Sequence, residues 1–188
     1  MSRTGMYLNA ILGELAGVCG RIDMDGVDAL AKAVSDAPAV FVAGAGRSGL
    51  ALRSFAMRLM HLGKNVHVVG EVVTPAIVKG DLLLVGSGSG ETGSLGGMAR
   101  KAKEAGCGVA LVTINPESSI GRLADVAVRI PAPSPKAAHC GDFVKSAQPM
   151  GSLFEQALLL VLDAVIMELM AELGKVSEEM FRLHANLE

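Results

Sequence analysis

Two apolar runs that each break into a loop of glycine and serine constrain this chain more than any other feature. Ala39–Ala43 runs into Gly44-Ala45-Gly46-Arg47-Ser48-Gly49, and Leu82–Val85 runs into Gly86-Ser87-Gly88-Ser89-Gly90-Glu91-Thr92. Runs apolar at consecutive positions suit strands buried on both faces, as in a parallel sheet. Parallel strands need a crossover between them, and a helical pattern follows each loop. Ser48–Leu62 carries Leu50, Phe55, Leu59 and Leu62, while Thr92–Ala105 stops at Gly106, a C-cap signal. Val66–Val69, Val109–Thr113 and Val126–Ile130 read as further strands, the last suited to an edge because Pro131 follows it. Amphipathic segments lie before the first strand (Gly5–Cys19, Asp25–Ser35) and after the last (Ser152–Leu173, Ser177–Leu183). Alternating strands and helices predict an α/β fold: a five-stranded parallel sheet in a three-layer αβα sandwich, one domain over residues 1–188.

In such a sheet ligands bind beyond the carboxyl ends of the strands, near the point where the strand order reverses. Both loops belong at that edge. Their glycines admit tight turns and close approach of an anion, and a helix N-terminus presents unpaired N–H groups with a favourable dipole. Ser48, Ser87, Ser89 and Thr92 add hydroxyl donors. This donor set suits a phosphate monoester. Taken one at a time, either loop also reads as an ordinary capped turn. The first loop matches G-x-G-x-x-G, and Glu71 follows the second strand near where a ribose-binding acid would sit. Against a dinucleotide fold, two helices precede the first strand, and the second loop holds more hydroxyls than such a fold requires. A Walker A loop is excluded, because no Gly-Lys-Ser/Thr follows.

The remaining features narrow the chemistry. The 188 residues carry a net charge of -2, which offers no general attraction to nucleic acid or an anionic membrane. Cys19, Cys107 and Cys140 are odd in number and far apart, so a reducing, cytoplasmic setting is expected. The N-terminus lacks the sustained apolar core of a signal peptide. Leu153–Met170 is apolar but interrupted by Glu155, Gln156, Asp163 and Glu168, which favours a buried helix over a membrane span. No His, Cys and carboxylate cluster has metal-ligand spacing, and neither a metal nor a cofactor is expected. G-x-S-x-G is absent, which argues against a serine hydrolase.

Glu155 opens the last long helical segment with Ser152 three residues before it, an S-x-x-E capping pattern. Its apolar neighbours would equally tune it as a base. The residues alone leave capping and catalysis both open. Glu71, with Thr74 and Pro75, either caps a turn or binds a substrate hydroxyl. His61 and His67 read as structural. His184 reads as a solvated terminal side chain with an ionisation in the useful range. The segment Pro131–Gly151, with His139 and Cys140, is long enough to be a lid.

The stretches GAGRSG (Gly44–Gly49), GEVVTPAI (Gly70–Ile77), GSGSGET (Gly86–Thr92), QPMGSLFEQ (Gln148–Gln156) and HANLE (His184–Glu188), in this order, resemble the SIS (sugar isomerase) domain family. The likeness is strongest to its hexulose-phosphate isomerase branch, and it runs nearly end to end. The resemblance implies the SIS fold and a cofactor-free isomerisation of D-arabino-hex-3-ulose 6-phosphate to D-fructose 6-phosphate in the ribulose monophosphate pathway. It implies Glu155 as base and His184 as a second catalytic group supplied by a neighbouring subunit. Gly46, Arg47, Ser48, Glu71, Ser87, Ser89 and Thr92 become the expected substrate and phosphate contacts. It further implies a homotetramer with sites near subunit interfaces, and allows association with the synthase that makes the hexulose phosphate. The alternatives are another sugar-phosphate isomerase of this fold, or a module that binds a phosphosugar without turnover. The latter class carries a DNA-binding segment that is not evident here.

Overall fold

Each apolar run forms a strand, and every strand pairs in parallel with its neighbour. The computed structural model describes residues 2–133, 135 and 145–187. The strands β1 (Val40–Gly44), β2 (Val66–Val68), β3 (Leu82–Gly86), β4 (Gly108–Thr113) and β5 (Val126–Arg129) form one five-stranded sheet, ordered β2-β1-β3-β4-β5. The order reverses at β1: the chain moves outward to β2, then returns to the other side of β1 for β3. In register, Val42 lies beside Leu84 and Gly44 beside Gly86. The two glycine-rich loops therefore leave the sheet side by side.

The helices are α1 (Arg3–Cys19), α2 (Met24–Asp36), α3 (Gly46–His61), α4 (Gly93–Glu104), α5 (Ser152–Glu172) and the short α6 (Ser177–Phe181). Side chains alternate across a strand, so each strand supplies both layers. Val40, Val42, Leu82, Leu84, Ala110, Val112 and Val128 form one core with α2, α3 and α5. Phe41, Ala43, Leu83, Val85, Val109 and Leu111 form the other with Leu95, Ala99 and Ala102 of α4. The αβα sandwich is thus present but unequal, with a thinner layer on the α4 side. The apolar run Leu153–Met170 lies within α5, which packs against α1, α2 and α3; Ala157, Leu158, Leu162 and Leu169 are fully buried. Among the described residues, no helix is long and apolar enough to cross a membrane.

Sequence reading expected the third helix to begin at Ser48. It begins two residues earlier, because Gly46 adopts φ 57° and turns the chain straight into the helix. Gly49 then lies on the end of β1, where an added Cβ would meet the Gly44 carbonyl oxygen at 2.5 Å. This contact is backbone on backbone and has no flexible partner to yield. Gly97, by contrast, sits inside α4 with nothing within 4 Å of its would-be Cβ. The same substitution should therefore have opposite signs. Gly49→Ala should destabilise by about 1–3 kcal/mol through overpacking, and Gly97→Ala should stabilise by roughly 0.5–1 kcal/mol through helix propensity, both read from urea unfolding.

Candidate active site

The loops after β1 and β3 face one cleft of about 480 Å³, closed on its far side by the start of α5. Its lining includes Arg47 and Ser48 from the first loop, Ser87, Gly88, Ser89 and Thr92 from the second, and Ser152, Phe154 and Glu155 from α5. Three helices begin here, α3 after Ala45, α4 after Thr92 and α5 after Gly151, and none has a side-chain cap. Of the helices that begin elsewhere, α1 and α2 are capped, with Ser2 accepting from Gly5 and Asp23 from Asp25, and in the short α6 the Glu179 carboxylate accepts from Val176 N at 3.2 Å. Side-chain capping is thus withheld where N–H groups converge on a ligand-sized space. Such termini favour an anion.

The second loop is held by its neighbours. Gly88 accepts hydrogen bonds from Ile114 N at 3.0 Å and from Thr113 Oγ1 at 3.1 Å. Ser87 Oγ accepts from Gly90 N at 3.2 Å and lies 3.4 Å from Thr92 Oγ1, so two of the expected phosphate hydroxyls adjoin. Gly90 has φ 66°, and an added Cβ would fall 1.9 Å from Ser118 Oγ. Glu91 is turned outward, accepting from Ser119 N at 2.8 Å; the Ser119 hydroxyl first, and then that N–H, hold its pKa below the usual carboxylate value. The loop's one acid is therefore occupied in bracing it.

Glu155 does not form the expected capping box. The helix starts after Gly151, so Ser152 is already its first residue and caps nothing. Met150, at φ 55°, brings the chain into the helix by that route. Glu155 instead accepts from Arg47 Nε at 2.5 Å, which joins α5 to the first loop. This pair was not legible in the sequence, where 108 residues separate its members. Nor was the anchor of the cleft wall. Glu14 of α1 accepts from Ser146 Oγ at 2.6 Å, Ala147 N at 2.7 Å and Gln148 Nε2 at 3.0 Å, just before Pro149 and Met150 enter the lining. Those bonds lower the Glu14 pKa, the Ser146 hydroxyl first. Much of the segment expected to be a lid, His139 and Cys140 included, lies outside the described residues.

Arg47, Ser48, Ser87, Ser89, Thr92 and Glu155 are thus brought together, and Gly46 lies between the lining residues Ala45 and Arg47. Glu71 and His184 are not brought to this cleft within the chain. Glu71 pairs with Arg53 on the flank of α3. His184 stacks on His61, with ring centroids 5.4 Å apart, and on Phe181 at 5.6 Å. His61 ends α3 while Arg47 lies in its first turn, a separation of roughly 21 Å along the helix.

A parallel sheet with uncapped helix termini and a carboxylate at its switch point defines an α/β domain whose cleft suits an anionic ligand. The family described as SIS domain matches residues 33–160, and the chain belongs to that family. Within it, the chain is similar to the 3-hexulose-6-phosphate isomerase of Bacillus subtilis, with 53% identity covering 99% of this chain and 100% of the relative. It is also similar to the protein of that name from Mycobacterium gastri, with 48% identity over 96% and 89% of the two chains. A crystal structure from Methanococcus jannaschii, reported to infer a 3-hexulose-6-phosphate isomerase function, superposes with a TM-score of 0.82. That match has 32% identity and covers 97% of this chain and 99% of the other.

His61 also provides a pH test of the tail's docking. It is 3% exposed, and burial first, then the charges of Arg58 and His184, hold its pKa below 6.5. The unfolded chain binds a proton there that the folded chain resists. Stability from this site is therefore complete above the unfolded value and is lost as the pH falls below it. Urea unfolding from about pH 7 to about pH 5 should show declining stability, and His61→Leu should flatten that decline.

Proposed function

We propose that this protein interconverts D-arabino-hex-3-ulose 6-phosphate and D-fructose 6-phosphate, within the ribulose monophosphate pathway. The reading is carried by one observation: hydroxyls and uncapped helix termini from two adjoining loops share a cleft with a carboxylate from a third element. Relatives named for this activity, matching nearly end to end, support it.

The phosphate is seated by Ser48, Ser87, Ser89 and Thr92 and by the N–H groups opening α4. Glu155 reaches the carbons at the other end of the sugar. It takes the proton from C2 and returns it to C3. Meanwhile O2 loses its hydroxyl proton to become the new carbonyl, and O3 gains one. The enediolate between these steps carries negative charge on oxygen, which backbone N–H donors stabilise. No ring must open in the forward direction, because the oxygen that would close a five-membered ring onto C3 is O6, which bears the phosphate. The phosphate is remote from the reaction, and its binding energy is realised as rate.

His184, docked far from this chain's own cleft, serves a cleft of another copy in a homotetramer. The apolar side chains exposed along α1, namely Met6, Tyr7, Leu8 and Leu12, favour such assembly. The setting is cytoplasmic, and association with the upstream synthase is compatible with an exposed cleft. Glu71, still a candidate contact for a sugar hydroxyl, would have to leave Arg53 to act.

Formation of fructose 6-phosphate, followed in a coupled assay, tests the reading. Glu155→Gln should cut kcat by about 10²–10⁴-fold, and a folded variant with near-normal kcat would remove Glu155 as the base. Ser87→Ala and Ser89→Ala should each lower kcat/KM by about 10- to 100-fold, as for a lost charge-assisted bond. Loss of no more than twofold in both would detach these hydroxyls from the substrate.

A further inference from the structure

Among the described residues that line the cleft, Arg47 is the one cation and Glu155 the one carboxylate, and they are bonded to each other. A phosphate entering beside Ser87 and Ser89 adds a second claim on the same guanidinium. Arginine binds phosphate oxygens as readily as carboxylate oxygens, through a planar fork. The two partners differ in freedom. The Arg47 side chain is 61% exposed on a long flexible stem, while Glu155 is 21% exposed in the first turn of a helix packed along its length. When the claims compete, the arginine moves and the glutamate stays.

The pairing also bears on the chemistry. The bond engages Glu155 Oε2 and holds the guanidinium against the carboxylate, which fixes the direction in which that carboxylate faces, and a base must first have reach. We infer that Arg47 is a positioning residue through which the substrate's phosphate uncovers the base: the phosphate draws the guanidinium from Glu155, and the freed carboxylate faces the sugar carbons. The inference rests on the isomerase reading above. It adds that preference for a phosphorylated sugar is expressed in turnover as well as in binding. A sugar without phosphate meets a carboxylate that is still paired.

Coupling of this kind is measurable without turnover. Inorganic phosphate is titrated by calorimetry into the wild type, Glu155→Gln, Arg47→Ala and the double variant, each first checked for native melting. If the two anions compete for Arg47, Glu155→Gln tightens phosphate binding by about five- to tenfold. With Arg47→Ala as background, the same change then has an effect of about twofold or less. Weaker phosphate binding in Glu155→Gln would mean that Arg47 bridges both anions, and equal tightening in both backgrounds would mean plain charge repulsion. Either result overturns the inference.

Turnover supplies the second readout. Arg47→Ala should raise kcat for the unphosphorylated 3-hexulose above that of the wild type while raising KM for the phosphate ester, and Arg47→Lys should fall between. An unchanged or lower kcat for the unphosphorylated sugar refutes the uncovering step. If the wild type fails to convert the phosphate ester, the isomerase reading falls instead, and the calorimetric cycle still decides the coupling.

Discussion

Reversal of strand order at β1 is the constraint on which the rest of this molecule depends. Because β2 and β3 flank β1, the chain leaves β1 and β3 in adjacent positions and must turn there with almost no room. Gly49 seated on the Gly44 carbonyl shows how tight that turn is. The strands are parallel, so their carboxyl ends share one edge, and the helices that follow begin at that edge. A binding site for a negatively charged group follows from the topology before any particular side chain is considered.

The capping pattern shows how stability and function divide the molecule. α1 and α2, remote from the cleft, satisfy their first turns with Ser2 and Asp23. The helices α3, α4 and α5 leave theirs without a side-chain partner. A missing cap costs about 1 kcal/mol, so three such ends forgo roughly 3 kcal/mol of capping around one cleft. The wide apolar burial of α5 between α1, α2 and α3 offsets that cost. Rigidity comes from outside the cleft as well. Glu91 holds Ser119, Ser118 packs behind Gly90, and Glu14 holds the chain that leads into α5.

Charge in the cleft is sparse and paired, which gives the pair its leverage. Arg47 and Glu155 are the charged groups among the described lining residues, and they are bonded to each other. His184 belongs to the opposite end of α3, stacked on a buried histidine.

Much of the architecture was legible in the sequence, for an identifiable reason. Strands buried on both faces read as unbroken apolar runs, and glycine with serine after such runs marks loops that approach a ligand. These are local signals, and they predicted the five strands, the helices between them and both loops of the cleft. Ser152 and Glu155 show where local signals stop. Their spacing promised a capping box, but the helix began at a different residue, and Glu155 found its partner 108 positions away. Glu14 gave no sign of holding the cleft wall, nor His61 of holding the tail. By itself the sequence determined the layers and the glycine turns that edge the cleft, because periodicity and turn chemistry act between near neighbours. Only the tertiary structure decided which carboxylate meets which arginine and which end of α3 carries His184, because those contacts form where distant segments are packed together.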